Sequence, residues 1–121
     1  MPIKKILVVD DSPTERLALS QVLSKNGYDV VTAESGEEAI TKSRSEKPDL
    51  ILMDVVMPGM NGYQATRTIS RTDETRSIPI IMCTSKGLET DKIWGMRQGA
   101  YDYMVKPVEH DALLARIKSI G

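Results

Sequence analysis

The chain has 121 residues, with 16 Lys and Arg against 17 Asp and Glu, one His and a formal charge of -1. That is the length of one domain, 1–121, and 40% apolar with 27% charged residues excludes a disordered or fibrous chain. One cysteine excludes an internal disulfide framework and a Cys-based zinc site, balanced charge argues against nucleic acid as a partner, and apolar runs of four residues, as in Ile6-Leu7-Val8-Val9, are too short for a membrane span or a signal peptide.

Five apolar runs alternate with five amphipathic stretches. The first run, Lys5–Val9, is followed by Ser12-Pro13-Thr14-Glu15, which reads as an N-cap, a proline at the first helical position and a capping-box glutamate. Leu19, Val22 and Leu23 form the buried stripe of that helix, and Asn26-Gly27 stops it. After the second run, Asp29–Ala33, Ser35-Gly36-Glu37-Glu38 repeats the capping box, and the helix must end before Pro48. The third run, Leu50–Met53, leads to a helix capped by Asn61 and extending to about Ser70. The fourth run, Ile80–Cys83, precedes a helix from Glu89 to Gln98, stopped by Gly99. The fifth run, Tyr101–Val105, precedes a helix from His110 to Ile120.

Several of these runs are continuous in Val, Ile, Leu and Met, which suits strands covered on both faces. A βαβαβαβαβα alternation with right-handed crossovers implies an α/β fold. The expected architecture is a doubly wound, five-stranded parallel sheet in the order 2-1-3-4-5. Such sheets carry their chemistry just past the strand C-termini. There the chain places Asp10-Asp11, Asp54, Thr84-Ser85-Lys86 and Lys106-Pro107.

Clustered aspartates must bind protons or a cation, because two like charges at about 4 Å repel by about 4 kcal/mol at an effective dielectric near 20. An all-oxygen donor set suits a hard ion such as Mg²⁺. An ion, the Lys106 ammonium and the Thr84 hydroxyl together would clamp the oxygens of a phosphoryl group. Asp54 is then the natural nucleophile, forming an acyl phosphate. A flavin-phosphate site fits poorly, since the loop after the first strand opens with two aspartates rather than hydroxyls or glycines.

Taken in order, Asp10-Asp11, Met53-Asp54-Val55-Val56-Met57-Pro58-Gly59-Met60-Asn61-Gly62, Thr84-Ser85 and Lys106-Pro107 closely resemble the receiver domain of two-component response regulators. The resemblance spans the whole chain. It implies Mg²⁺-dependent phosphoryl transfer from a histidine kinase to Asp54. The ion would be held by Asp10 and Asp11 (chiefly Asp11), by Asp54 and by the Val56 carbonyl. Thr84 and Lys106 would contact the phosphoryl group, and Tyr103 would be the switch aromatic, rotating inward as Thr84 moves. It also implies a cis Lys106–Pro107 bond. Asp10-Asp11-Ser12-Pro13-Thr14-Glu15, Gln64-Ala65-Thr66-Arg67 and the stretch from Glu89 to Ala100 further resemble the PilH-type and PilG-type single-domain regulators of type IV pilus twitching motility. The implied protein is a cytoplasmic monomer or weak dimer. It serves a chemotaxis-like kinase and signals by contact with an output protein the sequence does not identify.

Two other roles fit less closely: a phosphate sink for a shared kinase, and a small Mg²⁺-dependent phosphatase. The phosphatase would need an acid two residues after its nucleophile, where Val56 stands. Val56 and Lys86 are read as tuning positions, because Val56 cannot hydrogen-bond and Lys86 cannot accept from an attacking water, so slower self-dephosphorylation is expected than in receivers with Asn and Glu there. Cys83 reads as a small buried hydrophobe and His110 as an exposed helix-start residue. Met57 and Met60 are expected to pack over the rim of the acidic site. Trp94 is either core packing or an aromatic anchor for a partner.

Overall fold

The computed structural model describes residues 2–120. In chain order the elements are β1 (Lys5–Val9), α1 (Pro13–Lys25), β2 (Asp29–Ala33), α2 (Gly36–Ser45), β3 (Leu50–Met53), α3 (Gly62–Arg71), β4 (Ile80–Thr84), α4 (Glu89–Arg97), β5 (Asp102–Val105) and α5 (His110–Ile120). The strands form one parallel sheet in the order β2-β1-β3-β4-β5, as the alternation requires. Boundaries differ from expectation by a residue. β4 extends to Thr84 because Thr84 pairs with Val105 and its carbonyl accepts from the Lys106 N–H at 2.8 Å. β5 begins at Asp102, and α4 ends at Arg97 with Gln98 as its C-cap.

The continuous apolar runs are explained by burial on both faces. Ile6, Leu7, Val8 and all of Leu50–Met53 are buried, as is β4. On one face Ile6, Val8, Leu52 and Cys83 pack with Leu23 of α1 and with Leu113 and Ile117 of α5. On the other, Leu7, Val9, Ile51 and Met53 pack with Ala39 of α2 and with Ala65 and Ile69 of α3. The sheet edges are less apolar, which is why β2 is only partly buried.

Ser12, Ser35 and Asn61 cap their helices as expected, accepting from the N–H groups of Glu15, Glu38 and Gln64 at 3.3, 3.1 and 2.9 Å. Gln64 closes the capping box by accepting from the Asn61 N–H at 3.0 Å. The two glutamates do not. Glu38 accepts from the Glu34 N–H, and Glu15 turns to the Lys106 ammonium at 2.6 Å. A charged donor outcompetes a neutral amide for a carboxylate, and the Ser12 N–H is already taken by Asp10 Oδ1 at 2.9 Å.

Gly62 opens α3 against the end of β3. A Cβ there would lie 2.1 Å from the Asp54 backbone oxygen, so only glycine lets the helix start this close to the strand. Among the described residues no helix is long and apolar enough to cross a membrane.

Candidate functional site

Strand register assembles the site. Val9 pairs with Met53, so the next residues, Asp10 and Asp54, emerge side by side. The Asp54 N–H donates to the Val9 carbonyl at 3.0 Å, and the Asp10 N–H to that of Ala33 at 3.1 Å. Side chains alternate along a strand. The alternation that sends Val8, Leu52 and Met104 toward α1 and α5 continues to Asp10, Asp54 and Lys106. These three meet on one side of the sheet's C-terminal edge. Glu15, in the first turn of α1, hangs over the same edge. Arg16 secures the turn by donating to the Asp10 backbone carbonyl at 2.7 Å.

The Lys106 Nζ lies 2.6 Å from Glu15 Oε2, 2.8 Å from Asp10 Oδ2 and 3.3 Å from Asp54 Oδ2. Asp10 and Asp54 are buried, whereas the Glu15 side chain is 48% exposed. One carboxylate oxygen from each of the three lies within 4.8 Å of the others. Burial raises the Asp54 pKa above its ordinary value, and the neighbouring Asp10 charge raises it further against the pull of Lys106. Burial alone would lower the Lys106 pKa, but hydrogen bonds to Asp10 and Glu15 and the charge of Asp54 drive it above its ordinary value. The ammonium is therefore a fixed positive charge. A compact, oxygen-only, net anionic donor set beside it fits a hard divalent cation.

The remaining expected residues fall in distinct places. Asp11 is exposed and lies outside the three-carboxylate group. Thr84 is fully buried on the opposite side of the sheet from Lys106, with Oγ1 accepting from the Lys86 N–H at 3.3 Å. The Val56 side chain is exposed on the loop after β3, and Lys86 Nζ points to Asp91 at 3.6 Å. Lys106–Pro107 is cis. Tyr103 is buried: its hydroxyl donates to the Lys86 carbonyl at 2.6 Å and lies 3.5 Å from the Tyr63 hydroxyl. Burial and Tyr63 both push the Tyr103 pKa up, so it stays a neutral donor.

Met57 and Met60 do not cover the acidic rim. They pack into the core beneath α2 and α3, Met57 fully and Met60 partly, because the loop after β3 folds down onto the start of α2. Cys83 is a buried hydrophobe whose thiol burial pushes up to about 12, and His110 is exposed. Trp94 is 49% exposed, which removes the core-packing reading. Glu15 is the site residue that sequence reasoning missed. The connection from β1 to α1 is short enough to fold a long acidic side chain in the first helical turn back over the strand end, and that spacing was the available signal.

Known proteins are similar to this chain in sequence and fold. The model of the response regulator receiver domain matches residues 6–118. The chain belongs to the response regulator receiver family. It is 52% identical over 116 residues to Protein PilH of Pseudomonas aeruginosa, covering 96% of each chain. It spans about half the length of several transcriptional regulators that it also matches. Among solved structures, chemotaxis protein CheY4 of Vibrio cholerae superposes with a TM-score of 0.92 at 33% identity, covering 98% of this chain and 99% of that one. The CheY in a CheX-CheY-BeF3-Mg complex of Borrelia burgdorferi does so with a TM-score of 0.90 at 29% identity, covering 97% of this chain and 88% of that one. The receiver family and the 2-1-3-4-5 sheet are thus as the motifs implied. The Borrelia structure contains BeF3 and Mg²⁺ with a CheY of this fold.

Proposed function

We propose that residues 1–121 act as one receiver domain that takes a phosphoryl group on Asp54 from a histidine kinase. The observation that carries this is the buried pair Asp10 and Asp54 sharing the Lys106 ammonium at 2.8 and 3.3 Å on the C-terminal edge of the sheet. An Asp54 carboxylate oxygen attacks the phosphorus of an N-phosphohistidine. The P–O bond forms as the P–N bond breaks, the electron pair leaves with the imidazole nitrogen, and that nitrogen takes up a proton. Asp54 becomes an acyl phosphate.

Mg²⁺ would be held by Asp10, Asp54, Asp11 and the Val56 carbonyl, and it supplies charge neutralisation between the anionic nucleophile and the anionic donor. Lys106 binds a phosphoryl oxygen from the other side, and the Thr84 hydroxyl donates to another. Thr84 and Tyr103 then pass the change to the face of α4 and β5. Likeness to PilH over nearly its whole length supports a stand-alone regulator in type IV pilus twitching motility, served by a chemotaxis-like kinase in the cytoplasm and signalling by protein contact.

Incubation with Mg²⁺ and acetyl phosphate tests the reading. The intact protein should gain the mass of one PO₃ unit, and Asp54→Asn or a chelator should abolish the gain. A gain that survives Asp54→Asn would overturn it.

A further inference from the structure

Lys106 presents three N–H donors and no acceptor. In this structure all three have carboxylate partners: Asp10, Asp54 and Glu15. The contact with Glu15 is the shortest, at 2.6 Å, and that with Asp54 the longest, at 3.3 Å. A phosphoryl oxygen arriving on Asp54 finds no free donor on the ammonium, so one partner must give way. Asp10 and Asp54 side chains are only 3% and 8% exposed and are held in place beside each other at the sheet edge. Glu15 is 48% exposed on the outer rim and can swing into water without losing its hydration. Its backbone meanwhile stays anchored, since its N–H donates to the Ser12 cap at 3.3 Å. Its charge is also favoured where it stands, in the first turn of a helix.

We propose that Glu15 is a positioning residue that tethers the Lys106 ammonium toward the rim and releases it when Asp54 is phosphorylated. The tether rests on the phosphoryl-acceptor reading of Asp54. It has two effects. It slows phosphoryl acquisition, because an ion pair must open before Lys106 can meet the incoming group. It also favours the divalent ion, because an ammonium held outward competes less with a cation for Asp10 and Asp54.

Two variants separate reach from charge. Glu15→Ala removes both, whereas Glu15→Asp keeps the charge and withdraws it by one methylene. At saturating Mg²⁺, both should gain phosphoryl from acetyl phosphate about two- to fivefold faster than wild type, the factor that opening one half-exposed ion pair supplies. In the absence of any phosphodonor, both should bind Mg²⁺ more weakly by calorimetry. Wild-type behaviour of Glu15→Asp in rate and affinity would overturn the tether, even if Glu15→Ala were faster, because charge alone would then account for the change. The wild-type mass gain on Asp54 is measured in the same series. Its absence would remove the acceptor reading and the tether with it, whereas its presence with an unchanged Glu15→Asp removes the tether alone.

Discussion

At the scale of single side chains, we propose that two positions set how long the signal lasts. Val56 carries no hydrogen-bonding group, and the Lys86 ammonium is directed to Asp91 at 3.6 Å. Neither offers an acceptor for the water that would attack an acyl phosphate at Asp54. Replacing both, Val56→Asn with Lys86→Glu, should shorten the phosphoryl lifetime by roughly tenfold, below the ~10²–10⁴ that a full general base contributes. The decay of the phosphorylated mass species measures it, and an unchanged lifetime would remove the tuning role. At this scale the sequence was informative where chemistry and strand ends coincide. Asp10, Asp54 and Lys106, which the structure brings together, were singled out that way. Glu15 was not, because a glutamate three residues after a helix cap has an ordinary local use, and its actual partner stands 91 residues away.

Among the elements, α4 shows how a glycine seats a neighbour. A Cβ on Gly95 would lie 2.8 Å from the Met82 sulfur and 3.0 Å from the Tyr103 ring. The inward Tyr103 is thus accommodated by the missing side chain, and the Tyr63 hydroxyl ties the same helix by donating to the Asp91 carbonyl at 3.2 Å. In an exposed helix Gly→Ala stabilises by about 1 kcal/mol. Here Gly95→Ala should destabilise by about 1–3 kcal/mol, the cost of overpacking, and should push Tyr103 outward. Urea unfolding gives the sign, and a fluorotyrosine signal at Tyr103 reports its exposure. A stabilised Gly95→Ala would refute this account of the seat. The inward place expected of Tyr103 is the one its ring occupies in this structure. Element order, caps and sheet order were legible from apolar period and from Ser, Asn and Gly signals. Ring orientation was not, because it depends on the space left by another element.

For the molecule as a whole, function and stability oppose each other at the acidic edge. Asp54 is buried beside Asp10, and its pKa is raised. The native state therefore holds the Asp54 proton more tightly than the unfolded chain does. Ionised Asp54 weakens the fold at neutral pH, and this loss fades as pH falls through the raised folded pKa toward the ordinary carboxylate value. Asp54→Asn should consequently raise the Tm of the metal-free protein, by roughly 2–8 °C for about 1 kcal/mol in a domain of this size. Mg²⁺ should raise the wild-type Tm by mass action, and should do so less in Asp54→Asn. Calorimetric scans with and without Mg²⁺ measure both. A lower Tm for metal-free Asp54→Asn would show that the Lys106 pair outweighs the repulsion from Asp10.

The sequence by itself determined the α/β alternation, the strand order and the acidic residues at the strand ends, because period, caps and motif spacing are local or nearly local signals. Tertiary structure alone decided that Glu15 serves Lys106 rather than its own helix cap. It also decided that Met57 and Met60 belong to the core, that Trp94 faces outward and that Tyr103 lies inside. Each of these is a choice between partners brought together by register and packing, and no stretch of chain a few residues long contains both competitors.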